Sequence, residues 1–412
     1  MGANAVARRV GGPAMPLLVL AGLNLTDEFD RIAFTALSPE IRDAFHLGDN
    51  AIFALNVVPG VMILLAAGPI GRLADRFSRV HVSIGAALMW GVCAVLTALV
   101  PNVGLLLAVR TIAGIGRTAN EIVHPSLLSD LYAEAAHPKV FQLHRLANPL
   151  AQGSGVVAGF LGAELGWTWA FYVLAVPTFV LVLLLRRIPD PGRRGVDPGA
   201  GGAPVGVRAA YGALRAVPSL RRFWAVAFFL SLAAVGMWAL ASLYFEQVWG
   251  YDAKGRGLVQ FFIGIGWTAG VWLGGQVTQR RLEEGSPAAL AAVCGNAFGL
   301  FAIGGVALAV APGSVPAVVA LTVLAIGNGV WQSPYFSAVG RLAPPGLSGQ
   351  AFASTVIVYA VGGVCSLAIG AVGDATNYRV GFALIGAAGA VAALLARSVG
   401  PLIEADLAPT GR

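Results

Sequence analysis

Charge is what this chain lacks most. Of its 412 residues only 11% are Asp, Glu, Lys or Arg, while 57% are hydrophobic, and the mean hydropathy is +0.76. Soluble domains carry about 25% charged residues, so most of this chain cannot face water. Cysteine is limited to Cys93, Cys294 and Cys365, all inside apolar runs. An odd set so placed excludes a disulfide framework and a metal site. No Gly-x-x-x-x-Gly-Lys loop is present to cradle a nucleotide, which sets aside ATP-driven transport by this chain. There is no nucleophile elbow and no two-histidine metal pair. An intramembrane enzyme would have only Glu121 and His124 as an acid–base pair. We therefore expect no enzyme and no cofactor.

Glycine, by contrast, is abundant. Its 54 residues suit close-packed transmembrane helices. Apolar runs occur near 51–70, 81–100, 103–129, 140–163, 168–187, 223–245, 256–277, 287–311, 315–338, 347–372 and 377–398. Each has about the 20 residues that a bilayer requires. A further run from Ala14 to Leu37 follows Arg8 and Arg9 as a signal peptide would. No Ala-x-Ala cleavage site comes after it, so an uncleaved first helix is expected, making twelve. With both termini inside, 20 of the 27 Lys and Arg fall in cytoplasmic loops, 4 fall outside, and Arg31, Arg110 and Arg117 lie within helices. This inside-positive bias explains the net charge of +7 without a nucleic-acid partner. It predicts a multi-pass protein of the plasma membrane (the bacterial inner membrane) with both termini cytoplasmic.

One long polar interruption, 189–222, opens Pro189-Asp190-Pro191-Gly192-Arg193-Arg194-Gly195 and reads as a flexible cytoplasmic linker. It separates a six-helix bundle over 1–188 from another over 223–412. The halves echo each other. Gly275-Gln276-Val277-Thr278-Gln279-Arg280 repeats the register of Gly71 to Arg76, with Gln279 where Asp75 stands. Trp169-Ala170-Phe171 is matched by Val380-Gly381-Phe382. Internal symmetry of this kind is expected of transporters built from repeats.

Ionisable residues inside the apolar runs carry the most information, because each costs about 2.5–3.5 kcal/mol at bilayer depth. The first run holds Asn24, Asp27, Glu28, Asp30 and Arg31. At about 100° per residue, Asn24, Glu28 and Arg31 share a face with Asp27 beside them; Asp30 points about 120° away, toward a neighbouring helix. The fourth run aligns Arg110, Arg117, Glu121 and His124 within an arc of about 60°. Two readings fit this stripe. It lines a water-filled cavity, or its charges lock helices together, with Arg117 and Glu121 satisfied internally at i,i+4. Asp130 and Glu134 read as a solvated helix end. The second half offers Trp331, Gln332 and Tyr335 around Pro334, where a kink is expected. They form either the apolar wall of a site for an amphipath or ordinary packing. In the fifth run, Gly153-Ser154-Gly155, Gly159 and Gly162 make a small-residue face suited to close helix contact.

The string Gly71-Arg72-Leu73-Ala74-Asp75-Arg76-Phe77-Ser78-Arg79, set between two membrane-length runs, resembles the loop between the second and third helices of the major facilitator superfamily. The resemblance implies an all-α membrane protein of twelve transmembrane helices in two pseudo-symmetric six-helix bundles. It implies a gating motif at Gly71, Asp75, Arg76 and Arg79. Asp30-Arg31, Leu37-Ser38-Pro39-Glu40-Ile41 and Leu47-Gly48-Asp49 are similar to the first helix and loop of the Spinster-like branch, whose members export lipids. Arg110-x-x-x-Gly114-x-Gly116, with Pro125 and Asp130-Leu131, follows the same branch. There an Asp–Arg pair, a fourth-helix arginine and a glutamate after the Gly-x-Gly are associated with proton sensing, which implicates Asp30, Arg31 and Arg110. Arg117 stands where the glutamate is expected; Glu121, one turn on, is its substitute. Substrate contacts then fall to Asn24, Arg117, His124, Trp331, Gln332 and Tyr335. The implied function is proton-coupled secondary transport of a lysophospholipid-like amphipath by alternating access. The bilayer, the substrate and protons are the partners, and the chain acts as a monomer. Multidrug–proton antiport, and proton symport of a small organic anion held by Arg31 and Arg117, remain open.

Overall fold

A computed structural model of the chain describes residues 3–47, 49–192 and 206–407. Gly48, residues 193–205 of the expected linker and Arg412 lie outside the described residues. Twelve long helical stretches follow the expected runs. They are α1 (Ala14–Ala36), α2 (Asp49–Arg76), α3 (Arg79–Thr97), α4 (Val103–Leu131), α5 in pieces (His137–Arg145, Ala147–Leu150 and Ser154–Leu165) and α6 (Trp167–Leu185). Then come α7 (Pro218–Trp249), α8 (Ala253–Glu283), α9 (Ala289–Ala309), α10 in two pieces (Ser314–Val330 and Gln332–Leu342), α11 (Ser348–Ala375) and α12 (Tyr378–Arg397). Among the described residues, eight helices are long and apolar enough to cross a membrane by composition and length alone. α1 and α4 fall short of that measure because of the charges they carry, and α5 because it is interrupted.

Local chemistry sets the ends and breaks. The side chains of Asn102, Asp252 and Asn377 accept from the backbone N–H groups of Leu105 (3.0 Å), Gly255 (2.8 Å) and Arg379 (2.8 Å), capping α4, α8 and α12. Gly250, with φ of 66°, closes α7 in the left-handed conformation that glycine tolerates best. The breaks follow proline. A proline ring clashes with the carbonyl four residues earlier, and the first piece of α5 ends at Arg145, four before Pro149; the first piece of α10 ends at Val330, four before Pro334. The kink expected near Pro334 takes the form of a one-residue lapse at Trp331, which itself keeps helical dihedrals (φ −68°, ψ −24°). Short helices at Ala3–Val10, Ser38–Ala44, Val207–Ala216 and Gly400–Leu407 lie between and beyond these stretches.

Two compact units emerge. Unit 1 comprises residues 1–132, 146–205 and 345–356; unit 2 comprises 133–145, 206–344 and 357–412. Within the first half of the sequence α1 packs on α6, α3 on α4 and α6, and α2 on α4. The second half repeats this order: α7 on α12, α9 on α10 and α12, and α8 on α10. The same pairing in each half is the pseudo-symmetry that the sequence echoes predict.

The seam between α8 and α10 is backbone against backbone. A Cβ added at Gly266, Gly270 or Gly274 would meet the carbonyl oxygens of Thr322, Ile326 and Val330 at 2.8, 2.1 and 2.2 Å. Recurring every fourth residue, these glycines let two helices approach closely where no hydrophobic force separates protein from lipid. Of the three cysteines, Cys93 and Cys294 are buried but Cys365 is exposed, a departure from the expectation that all three lie inside.

Candidate functional site

The polar residues of α1 and α4 meet inside unit 1 as a ladder of alternating charge. Asp27 Oδ1 accepts from Arg117 Nε at 2.8 Å, and Asp30 Oδ2 accepts from Arg117 Nη2 at 3.3 Å and from Arg110 Nη1 at 2.8 Å. The Arg110 guanidinium also lies over the Phe34 ring, 4.2 Å from its centroid. Side-chain exposure is 3% for Asp27, 6% for Asp30 and 4% for Arg110, but 14% for Arg117, which is therefore the member that a molecule from outside can reach. Two carboxylates and two guanidinium groups sum to zero charge, the condition under which buried ions persist in a membrane protein. The ladder is not saturated. Asp30 Oδ1 and Arg110 Nε have no hydrogen-bond partner among the described residues.

Several expectations change at this point. Arg31 pairs with Glu28 (Nη2 to Oε2, 2.6 Å) on an exposed face, while Asp30 turns to α4 as the helical angle required. The adjacent Asp30 and Arg31 therefore do not form one pair. Arg117 reaches across to Asp27 and Asp30, in place of the internal pairing with Glu121 that its spacing allowed. Asn24 Nδ2 donates to Asn148 Oδ1 of α5 at 2.6 Å. His124 is buried and Glu121 half-buried further along α4. The sequence gives no separate role to Asp27 and no notice to Asn120. One signal was available: acidic residues three apart on α1 match two arginines two turns apart on α4.

The gating string forms a second polar assembly. Asp75 accepts from the backbone N–H groups of Gly349 (2.7 Å) and Gln350 (2.9 Å), the opening residues of α11. A carboxylate at a helix N-terminus satisfies orphan donors and the helix dipole together. Gly71 makes this approach possible, since a Cβ there would lie 2.5 Å from that of Ala353. Arg72 and Arg76 are exposed, but Arg79 is 2% exposed and is not a loop arginine facing solvent. It forms an ion pair with Asp130 and donates from Nη2 to Ser348 Oγ at 2.9 Å; Ser126 and Ser348 hydroxyls lie 2.8 Å apart. Asp130 is thereby a buried partner, not part of a solvated helix end, because the first residue of α3 brings a guanidinium to it.

The echo of that string in unit 2 lacks the carboxylate. A Cβ at Gly275 would meet the Gln142 side chain at 2.4 Å, and Gln142 Nε2 donates to the Trp272 carbonyl at 3.0 Å. Gln279, in the position of Asp75, donates to Glu283 Oε1 at 2.9 Å. Elsewhere in unit 2, Trp331 stacks near Phe336 and Tyr359 and meets Tyr335 edge-on, 5.5 Å between centroids. Tyr335 donates to the Phe223 carbonyl (3.2 Å) and Gln332 Nε2 to the Asn328 carbonyl (3.2 Å); Gln332 Oε1 has no partner among the described residues. All three are buried.

The chain matches a family model for the Major Facilitator Superfamily over residues 20–367. The chain belongs to the major facilitator superfamily. Among solved superfamily structures, one of the E. coli fucose:proton symporter FucP superposes with a TM-score of 0.76 at 17% identity, covering 93% of this chain and 98% of that one. The proton:xylose symporter XylE bound to 6-bromo-6-deoxy-D-glucose gives a TM-score of 0.75 at 16% identity, covering 92% and 94%. At such identity these likenesses show the fold. Sequence relatives are Spinster proteins. Protein spinster homolog 1 of Bos taurus is 27% identical over 338 residues, 74% of this chain and 62% of the relative. Protein spinster of Drosophila melanogaster is 28% identical over 177 residues, 42% and 29% respectively. The sphingosine-1-phosphate transporter SPNS2 of Danio rerio is 26% identical over 186 residues, 42% and 37%. The matched stretches span less than two thirds of these relatives' own lengths.

Proposed function

We propose that this superfamily member is a proton-coupled secondary transporter that moves a lysophospholipid-like amphipath by alternating access. The observation that carries the reading is the buried, partly unsaturated ladder of Asp27, Arg117, Asp30 and Arg110. A proton added to Asp30 removes its attraction for Arg110 and Arg117 and leaves the site with a net positive charge, so proton occupancy biases the conformational equilibrium. Asp75, Gly71, Arg76 and Arg79 act as the gate: the hydrogen bonds from Gly349 and Gln350 hold one state and break in the other. Arg31 and Glu121 assist the proton exchange. Asn24, Arg117, His124, Gln332, Trp331 and Tyr335 contact the substrate. Within unit 1 the charged and amide groups suit a charged head, and within unit 2 the aromatic groups suit an apolar tail. The names of the Spinster relatives, one of them a sphingosine-1-phosphate transporter, favour that class. The excess of arginine in alternate loops favours a plasma membrane with both termini cytoplasmic, and a linker over 189–222 between six-helix halves, in a monomer.

Uptake of labelled lysophospholipid by proteoliposomes, with and without an imposed pH gradient, tests the reading. Gradient-dependent lipid flux that Asp30→Asn abolishes is the expected result. A flux confined to cationic drugs would make the chain a multidrug antiporter. Flux confined to small carboxylates would make it an anion symporter. Lipid flux indifferent to the gradient would remove proton coupling.

A further inference from the structure

The four ladder residues are not equivalent. Arg110 is held on Asp30, stacked on Phe34 and 4% exposed, so it is fixed in place. Arg117 spans two carboxylates, with its shorter contact, 2.8 Å, to Asp27 and its longer, 3.3 Å, to Asp30, and it is the most exposed of the four. Beside the Asp27 carboxyl stands Asn120, whose buried side-chain amide is directed at it. An accessible guanidinium and an amide donor thus converge on one carboxylate. That is a donor set for an oxyanion, occupied by a side-chain carboxylate.

We propose that Asp27 is an internal surrogate for the substrate's anionic headgroup: it occupies the Arg117–Asn120 site while ionised and yields it to a phosphodiester or carboxylate headgroup when protonated. The inference rests on the transport reading above and names both its headgroup chemistry and the residue that couples uptake of one proton to binding of one headgroup. Charge balance supplies the reason. With Asp27 ionised the ladder is neutral and an entering anion would add an uncompensated buried negative charge. With Asp27 protonated, the ladder carries one positive charge that an anionic headgroup cancels. Asp30 does not play this role, because its shorter contact, 2.8 Å, is to Arg110 and its contact with Arg117 is the longer one, 3.3 Å. The charged groups around Asp27 are few. On α1 they are Glu28, paired with Arg31, and Asp30; on α4 they are Arg117 and Arg110, with Glu121 and His124 further along. α5 contributes the neutral pair partner Asn148, α3 has Cys93 near Asp30, and α6 carries no charged residue. The Glu28–Arg31 pair is internally neutral, so proton uptake at Asp27, like that at Asp30, changes the charge seen by Arg117.

Binding to the purified full-length chain in nanodiscs tests this directly. Lysophosphatidylglycerol, whose phosphodiester stays ionised across the range, is compared with monoacylglycerol of the same chain length between pH 5 and 8. The expected result is affinity for the anionic lipid that falls about tenfold per pH unit as Asp27 gives up its proton, with no pH slope for the neutral lipid. Asp27→Asn should bind the anionic lipid at pH 8 as tightly as the unaltered chain does at pH 5, with the slope gone. Arg117→Gln should bind both lipids equally at every pH, while Arg117→Lys keeps part of the preference. A pH slope that survives Asp27→Asn, or a headgroup preference that survives Arg117→Gln, overturns the proposal while leaving lipid transport intact. If the unaltered chain binds neither lipid, the transport reading fails and this inference falls with it. Elution of each variant as a single folded species separates loss of binding from loss of fold.

Discussion

α4 and α10 hold corresponding places in the two halves, each packed on the third and second helices of its own half, yet they solve opposite problems. α4 runs unbroken through Pro125 and carries two arginines, a glutamate and a histidine along its length. α10 carries no charge until Arg341, is interrupted at Trp331 and lies against α8 through glycine. The contrast shows where each half derives its specificity. Ion pairs are long-range and tolerant of small movements, so α4 can change partners without losing its neighbours. A glycine seam is short-range and allows one geometry, so α10 bends at its proline and not along its seam.

The largest effect should come from unbalancing the charged helix. Asp30→Asn leaves Arg110 without its carboxylate, and breaking one side of a buried pair costs about 3–5 kcal/mol. Thermal melting in detergent should show this, and Asp30→Asn with Arg110→Gln should recover part of it. No recovery would mean that the two helices are not coupled through this pair. On the glycine helix, Gly270→Ala and Gly274→Ala each force a Cβ onto a carbonyl oxygen and should cost about 1–3 kcal/mol, the range of core overpacking. Gly264→Ala, on the same helix with open space around it, should melt as the unaltered chain does. Asp75→Asn keeps a hydrogen-bond acceptor but removes the charge at the α11 N-terminus, a change of about 0.3–1 kcal/mol. Transport rate should fall further than melting temperature, whereas complete loss of membrane expression would assign Asp75 to architecture alone. Tyr335→Phe deletes the hydroxyl donor to Phe223, costs about 1 kcal/mol in melting and should leave headgroup selectivity untouched.

Helix positions, the polar stripe on α4, and the turn of Asp30 away from Arg31 were all readable before any coordinates. They depend on composition and on the 100° step of a single helix. Partners across the chain were not readable. Asp27 meets Arg117 ninety residues away, and Arg79 meets Asp130 across two helices. Periodicity gives the direction of a side chain relative to its own helix but not the rotation of the neighbour. Arg79 and Asp130 misled for this reason: each lies at a helix end rich in polar residues, where solvent is the default partner. The breaks in α5 and α10 could have been placed, since each first piece ends four residues before a proline.

The Asp75 contact with α11 has a consequence for how this chain tolerates change. Its carboxylate takes the main-chain amides of 349 and 350, so the latch itself does not read the Gln350 side chain, which answers instead to the packing around it, being buried. Position 349 is bound to the latch directly, because a methyl group there would strike Asp75 Oδ1 at 2.7 Å. Neighbouring residues of one helical turn are therefore constrained for different reasons, one by the carboxylate and the next by side-chain volume.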